Sequence, residues 1–331
     1  MTPLDQSAQK VLVPAKLARM LEAQGIPGEA LVPWEGELPP PEAIAAADAA
    51  ILWHQEPAKL ARYLLAHKEH WEWMHSLWTG LEHLPVARLH RAVRTFTTGK
   101  GTGAVPLAEW VLAALLWHAK RLSEVDRAFR QGSWEPTELG ELWGSKVVVL
   151  GLGTIGRAVA QTLSKLGVQV TGVRRKPQAT RGCQEVVSLA ALTSALRQAR
   201  ALVIVLPATP ATAGLVNAQV LAALPDGALV VNIGRAVVVD EAALLAEVAS
   251  GRLWAALDVW WQEPLPKESP WRQLPQLLPS PHNAYRGERF LQRHFQRVVE
   301  NVRLYLDHRP LRFPVGRREW AELLGHGGDT A

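Results

Sequence analysis

Residues 146–156 read KVVVLGLGTIG: an unbroken apolar run, three glycines spaced G-x-G-x-x-G, and the start of a helical pattern. No other stretch restricts the fold as tightly. A buried strand must run into a turn sharp enough to require Gly151. Gly153 leaves the backbone open to a closely approaching group, and Gly156 lets helix and strand pack together. The first helical amides, those of Thr154 and Ile155, then point outward from a helix N-terminus with the dipole behind them. That arrangement suits a phosphate.

The alternation continues downstream. VQVTGV (168–173), ALVIVL (201–206), ALVVNI (228–233) and LWAALDV (253–259) read as further strands, with Leu-rich helical segments between several of them. Continuous apolar strands separated by helices predict a parallel sheet covered on both faces, the Rossmann-type doubly wound α/β class. Upstream, the apolar runs Val11–Val13 and Ala49–Trp53, separated by helical patterns and Pro-rich loops, suggest a smaller α/β unit. PLAEWVLAALLWHAKR (106–121) reads as a long helix, a candidate hinge, and Glu288–Asp307 as another. A chain of 331 residues exceeds one ordinary domain, so two are expected. The 14 tryptophans read as core and interface packing.

Composition excludes several classes. Charged residues are 20% of the chain and the longest apolar runs are strand-sized, so a globular protein with no membrane span is expected. No charged-then-apolar leader opens the sequence, which argues against export. A single cysteine, Cys183, rules out an intramolecular disulfide and fits a reducing cytoplasm. The net charge of +5 is spread along the chain, and Arg309, Arg312, Arg317 and Arg318 read as a solvated surface. No nucleic-acid partner is expected.

The residues after each strand carry the chemistry, because ligands of open parallel sheets sit beyond the strand C-termini. After the second strand stand Arg174, Arg175 and Lys176, where an NAD site usually has an acidic residue. A basic triplet favours the 2′-phosphate, so NADP(H) is the preferred cofactor and NAD(H) stays open. Arg235 follows ALVVNI, Glu263 follows LWAALDV, and His282 comes after a Pro-rich stretch, so the three fall on successive loops of one sheet edge. Arg235 suits a substrate carboxylate and the polarisation of a ketone. His282 suits proton donation near neutral pH. Glu263 would favour imidazolium and fix its tautomer. Asp258, inside a strand end, could orient a nicotinamide carboxamide. Singly, each of the three could equally be an ion pair, a packed histidine or a polar turn; together at one sheet edge they point to chemistry.

In that order after GLGTIG, the segments VNIGRAVVVDEAALL, ALDVWWQEPLP and SPHNA resemble the D-isomer-specific 2-hydroxyacid dehydrogenase family, from about Leu107 to Asp307. The resemblance implies a Rossmann-type cofactor domain (109–284) inserted into a smaller flavodoxin-like α/β substrate domain built from 1–108 and 285–331. It implies that Arg235, Glu263 and His282 are catalytic, and adds Pro207, Thr212 and Ile233 to the cofactor contacts. It also implies reduction of a small anionic 2-keto acid to the 2-hydroxy acid. QEPLPKESPWRQLPQL, ILWH (51–54) and SLWTGLEHL (76–84) resemble the glyoxylate/hydroxypyruvate reductase branch. There the backbone amides of Leu77, Trp78, Thr79 and Gly80 would hold the substrate carboxylate beside Trp53. For Trp53, Trp78 and His54, ordinary packing remains an equal reading. Ala236 stands where the family usually has Gly, and Arg286 where it usually has a small residue; both departures bear on specificity. The helical arm from Glu109 to Trp143 resembles the family's dimer-forming element, implying a homodimer. Two other readings stay open: a nucleotide-sensing, corepressor-like binding protein on the same fold, and a metal enzyme using His67, His70, His75, His83 and His90. Those histidines are loosely spaced, several on an expected helical stretch, so no metal is predicted.

Overall fold

The computed structural model describes residues 9–325 apart from 82, and the side chain of Arg318 is also outside the description. The first eight residues, on which the leader expectation rests, lie outside it too. The chain divides into two units: one runs to Thr102 and resumes at Glu288, and the other is Gly103–Gly287.

The first unit holds five parallel strands, β1 (Val11–Pro14), β2 (Leu31–Trp34), β3 (Ala49–Leu52), β4 (Trp71–Ser76) and β5 (Val93–Thr98). Their order, β2-β1-β3-β4-β5, is that of flavodoxin-like sheets. Alternate residues of one strand go to opposite cores. Leu12, Ala50, Leu52, Met74 and Phe96 join one cluster, and Val11, Val13, Ala49, Ile51 and Trp73 join the other. The second cluster is closed by Val298, Val299 and Val302 of the helix Phe290–Leu306. Of the histidine-bearing stretch read as helical, His67 and His90 do lie on helices, and the difference is confined to the segment around His75. WEWMHS is strand β4 rather than helix, because both of its faces are covered and the polar His75 and Ser76 are buried with the tryptophans.

The second unit carries seven parallel strands: β6 (Lys146–Leu150), β7 (Gln169–Val173), β8 (Glu185–Val187), β9 (Ala201–Ile204), β10 (Leu229–Asn232), β11 (Trp254–Leu257) and β12 (Leu277–Pro279). Their order is β12-β11-β10-β9-β6-β7-β8. The chain works outward from β6 to β8, then crosses back to β9, so the direction of winding reverses between β6 and β9. Such a reversal opens a crevice at the strand ends. Val148, Leu150, Leu202, Ile204, Val230 and Leu257 face one core, while Val147, Val149, Val203, Val231 and Ala256 face the other. Full burial of each such side chain is worth about 1.5–3 kcal/mol, which is why these strands read as unbroken apolar runs. The helix Ala104–Ala119 lies wholly in this unit and buries Leu107, Val111 and Leu115 against the second core. Its Pro106 falls in the first turn, where a missing N–H costs nothing.

Candidate active site

Sheet register brings the loops to one level. Leu150 pairs with Ile204, Ile204 with Asn232, Asn232 with Leu257, and Leu257 with Pro279. The chain therefore leaves β6, β9, β10, β11 and β12 along one row, four strand spacings or about 19 Å across. Gly151, Arg235, Glu263 and His282 all lie within a few residues of that row.

At the β6 end, Gly151 has a φ of 106°, and a Cβ there would stand 2.7 Å from the Val205 carbonyl oxygen. At Gly156 a Cβ would overlap the Gly151 carbonyl oxygen, so strand and helix touch through bare backbone. Outside Gly153 a Cβ would meet nothing within 4 Å, so the turn offers bare backbone to open space. Gly153 caps the helix Thr154–Ser164 without a side chain. The amides of Thr154 and Ile155 are first-turn donors with no intrahelical acceptor. This geometry fits a dinucleotide pyrophosphate. Beyond β7, the Arg174 N–H donates to the Val187 carbonyl at 3.1 Å, anchoring a turn on which Arg175 and Lys176 are exposed. After β9, Thr212 closes its own loop: its hydroxyl donates to the Pro207 carbonyl at 2.6 Å and accepts the Thr209 N–H at 2.9 Å. Ile233 is buried, with its N–H on the Ile204 carbonyl.

Arg235 is set by a residue that sequence reasoning missed. Asn232, fully buried at the end of β10, accepts the Gly234 N–H at 3.0 Å and donates to the Arg235 carbonyl at 3.1 Å. Gly234 presses on Leu206, whose carbonyl oxygen would lie 2.5 Å from any Cβ. Together these hold the half-buried Arg235 at the strand end, with Nη1 donating to the Gly234 carbonyl at 2.9 Å. An asparagine ending a Val-rich strand was the only available hint.

Glu263 and His282 meet. Glu263 Oε2 lies 2.8 Å from His282 Nδ1, and Glu263 Oε1 accepts the Trp260 N–H at 3.0 Å. An ionised carboxylate only accepts, so Nδ1 carries the proton and Nε2 is the outward-acting nitrogen. Both side chains are 39% exposed, enough for exchange with solvent. His282 has a φ of 53°, a left-handed conformation costing about 1–3 kcal/mol. Asp258 holds it there. Asp258 is the first residue beyond β11 rather than inside it, and is 2% exposed. Its Oδ1 accepts the Ser280 hydroxyl at 2.7 Å and the N–H groups of Asn283 at 2.9 Å and Ala284 at 3.0 Å. The Trp260 indole donates to the Ser280 carbonyl at 2.8 Å, tying the same loop to the β11 end. Ser280, Asn283 and Trp260 carried no signal of this role in the sequence.

In the first unit, Leu52 pairs with Ser76, so Trp53 and the loop Leu77–Gly80 leave neighbouring strands at one edge. Trp53 and Leu77 pack on the apolar core, and Trp78 lies 6.4 Å from the Phe290 ring. His54 accepts the Glu56 N–H at 2.9 Å just before the helix Pro57–His67, a structural turn. Among the described residues no group of His, Cys, Asp and Glu is arranged to hold a metal ion, and no helix is long and apolar enough to cross a membrane.

Residues 112–284 match the family model of the D-isomer specific 2-hydroxyacid dehydrogenase NAD binding domain. A glyoxylate/hydroxypyruvate reductase A from Salmonella heidelberg is 35% identical over 188 residues, a stretch spanning 56% of this chain and 59% of the relative. A crystal structure of a D-isomer specific 2-hydroxyacid dehydrogenase family protein from Aeromonas salmonicida matches with a TM-score of 0.79. It is 30% identical and covers 94% of this chain and 99% of that one. The Xanthobacter autotrophicus enzyme of the same description, in complex with NADPH and MES, matches at 0.78 and 30% identity, over 95% and 99% of the chains. An NADPH-dependent glyoxylate/hydroxypyruvate reductase from Sinorhizobium meliloti, with NADP and sulfate, matches at 0.76 and 25% identity, over 94% and 99%. A glycine turn at the winding reversal, loops bearing an arginine, a glutamate and a histidine along one sheet edge, and a family model matching over half the residues converge: the chain belongs to the D-isomer specific 2-hydroxyacid dehydrogenase family.

Proposed function

We propose that this protein reduces a small 2-keto acid, of the glyoxylate or hydroxypyruvate type, to the 2-hydroxy acid with NADPH. The observation that carries the reading is the 2.8 Å Glu263–His282 pair on the same sheet edge as Arg235 and the glycine turn. Bound reduced nicotinamide supplies a hydride to the ketone carbon. Arg235 pairs with the substrate carboxylate and draws electron density onto the ketone oxygen. Glu263 keeps a proton on Nδ1, so His282 delivers the Nε2 proton to the alkoxide and is reprotonated from solvent. The Leu77–Gly80 amides contribute to carboxylate binding. Asp258, whose Oδ1 takes up the loop donors, would orient the cofactor's carboxamide with its other oxygen.

Arg174, Arg175 and Lys176 support NADP(H) over NAD(H). In a panel of keto acids assayed with both cofactors, NADPH oxidation should be strongest with glyoxylate and hydroxypyruvate. Replacing Arg174 and Arg175 with Ser should raise the KM for NADPH by about 10- to 100-fold and leave that for NADH unchanged. Oxidation of neither cofactor with any keto acid would remove the reading. The proposed assembly is a homodimer through the arm Glu109–Trp143. Its helix Leu122–Arg130 buries no residue, and Phe129 and Trp134 are 65% and 85% exposed, an apolar surface that fits self-association. Sedimentation should give twice the 36.4 kDa chain mass, and a monomer at micromolar concentration would contradict the assembly. The lone Cys183 thiol fits a reducing cytoplasm.

A further inference from the structure

Ser76 pairs with Thr98 at the ends of β4 and β5, so Leu77 and Gly99 are the first residues beyond the ladder. They touch. A Cβ at Gly99 would overlap the Leu77 carbonyl oxygen and stand 2.6 Å from Cε1 of His294. Gly99 is thus enclosed between the first residue of the Leu77–Gly80 loop and an imidazole of the helix Phe290–Leu306.

The hydrogen bonds around it have a fixed direction. The Thr102 hydroxyl donates to the Gly99 carbonyl at 2.7 Å, and the Thr102 N–H reaches the same oxygen at 3.1 Å. With its proton used there, Thr102 Oγ1 can only accept from His294 Nε2, 3.0 Å away. His294 is 2% exposed, and its Nδ1 is buried with no partner among the described residues. Burial, assisted by the Arg297 charge, lowers the His294 pKa to about 4, so the ring is neutral at physiological pH. On β4 and β5 the pattern repeats. Thr97 Oγ1 accepts the Trp73 indole N–H at 2.8 Å and donates to His75 Nδ1 at 2.8 Å, locking the strand pair just before Leu77.

We propose that Gly99, Thr102 and His294 act as a clamp that sets the backbone of the Leu77–Gly80 loop and thereby the affinity for the keto acid. They are positioning residues; none touches the reacting atoms. The inference rests on reading Leu77–Gly80 as a carboxylate-binding loop. Its chemistry is specific: one hydroxyl relays between a backbone carbonyl and an imidazole on another element, so shape alone cannot replace it.

Thr102→Val keeps the shape and removes both side-chain hydrogen bonds, whereas Thr102→Ser keeps them. In the full-length protein Thr102→Val should raise the KM for hydroxypyruvate by about 3- to 10-fold. The kcat should stay within about twofold, and the Kd for NADPH should not change. Hydrogen–deuterium exchange at the amides of 77–80 should speed up, and Thr102→Ser should restore both KM and exchange. Unchanged KM or unchanged exchange at 77–80 in Thr102→Val overturns the clamp. So does a uniform loss in KM, kcat and NADPH affinity together. Should Thr102→Val fail to fold, His294→Gln, which keeps a nitrogen donor toward Thr102, is expected to retain slow exchange where His294→Leu does not; equal exchange in the two is equally fatal. Absence of turnover in the unaltered protein would strike the functional reading, while the exchange comparison still decides whether the clamp exists.

Discussion

Replacing His282 with Asn is expected to lower turnover of the keto acid by about 10²- to 10⁴-fold, the usual worth of a positioned general acid. NADPH affinity should be unchanged. Asn is the informative substitution because residue 282 has a φ of 53°, and Asn tolerates the left-handed region better than Ala. The backbone then stays where Asp258 holds it and only the proton donor is lost. Glu263 stays anchored through the Trp260 N–H on one of its oxygens. Steady-state kinetics beside cofactor titration separate the two effects. A variant that keeps a tenth or more of the kcat, about 10⁻¹ of the original, would show that the proton comes from elsewhere.

Asp258→Ala is expected to destabilise the protein by about 3–5 kcal/mol in chemical denaturation. The carboxylate is 2% exposed, and one oxygen serves the Ser280 hydroxyl and two backbone N–H groups of the loop that carries His282. Each buried donor left without an acceptor costs about 1–3 kcal/mol, offset partly by relaxation of the loop. The same change releases the left-handed turn at 282, so turnover should fall with stability. Asp258→Asn keeps an acceptor oxygen and should recover at least half of the loss. A decrease below about 1 kcal/mol for Asp258→Ala would mean that the loop is anchored by other contacts.

The parts of the active site that were legible in the sequence share one property: they follow continuous apolar strands. β6, β9, β10 and β11 are buried on both faces, so each appears as an uninterrupted run, and the residue after each run falls at a known edge of a parallel sheet. That rule singles out Arg235 and Glu263, whereas His282 follows the short β12 and is marked in the sequence only by the SPHNA segment. The shorter or more polar strands were not legible. β8 and β12 have three residues each, and β4 and β5 carry histidine, serine and threonines in buried positions. Part of their polar surface is paired across the ladder, as Thr97 is with Trp73 and with Nδ1 of His75, while His75 Nε2 is buried with no partner among the described residues. A local pattern cannot show that, which is why the segment around His75 does not read as a strand.

The amino-acid sequence alone determined the class of the fold and the position of the glycine turn, and pointed to the three side chains proposed to react, because strand burial and backbone sterics act over a few neighbouring residues. Tertiary structure decided which residues hold those side chains in place. Asn232 donates to the Arg235 carbonyl, Asp258 accepts the Ser280 hydroxyl beneath His282, and Thr102 links His294 to the Gly99 carbonyl, all through hydrogen bonds of about 3 Å. Several of these bonds span tens to hundreds of residues along the chain, and only the folded backbone brings their ends within reach.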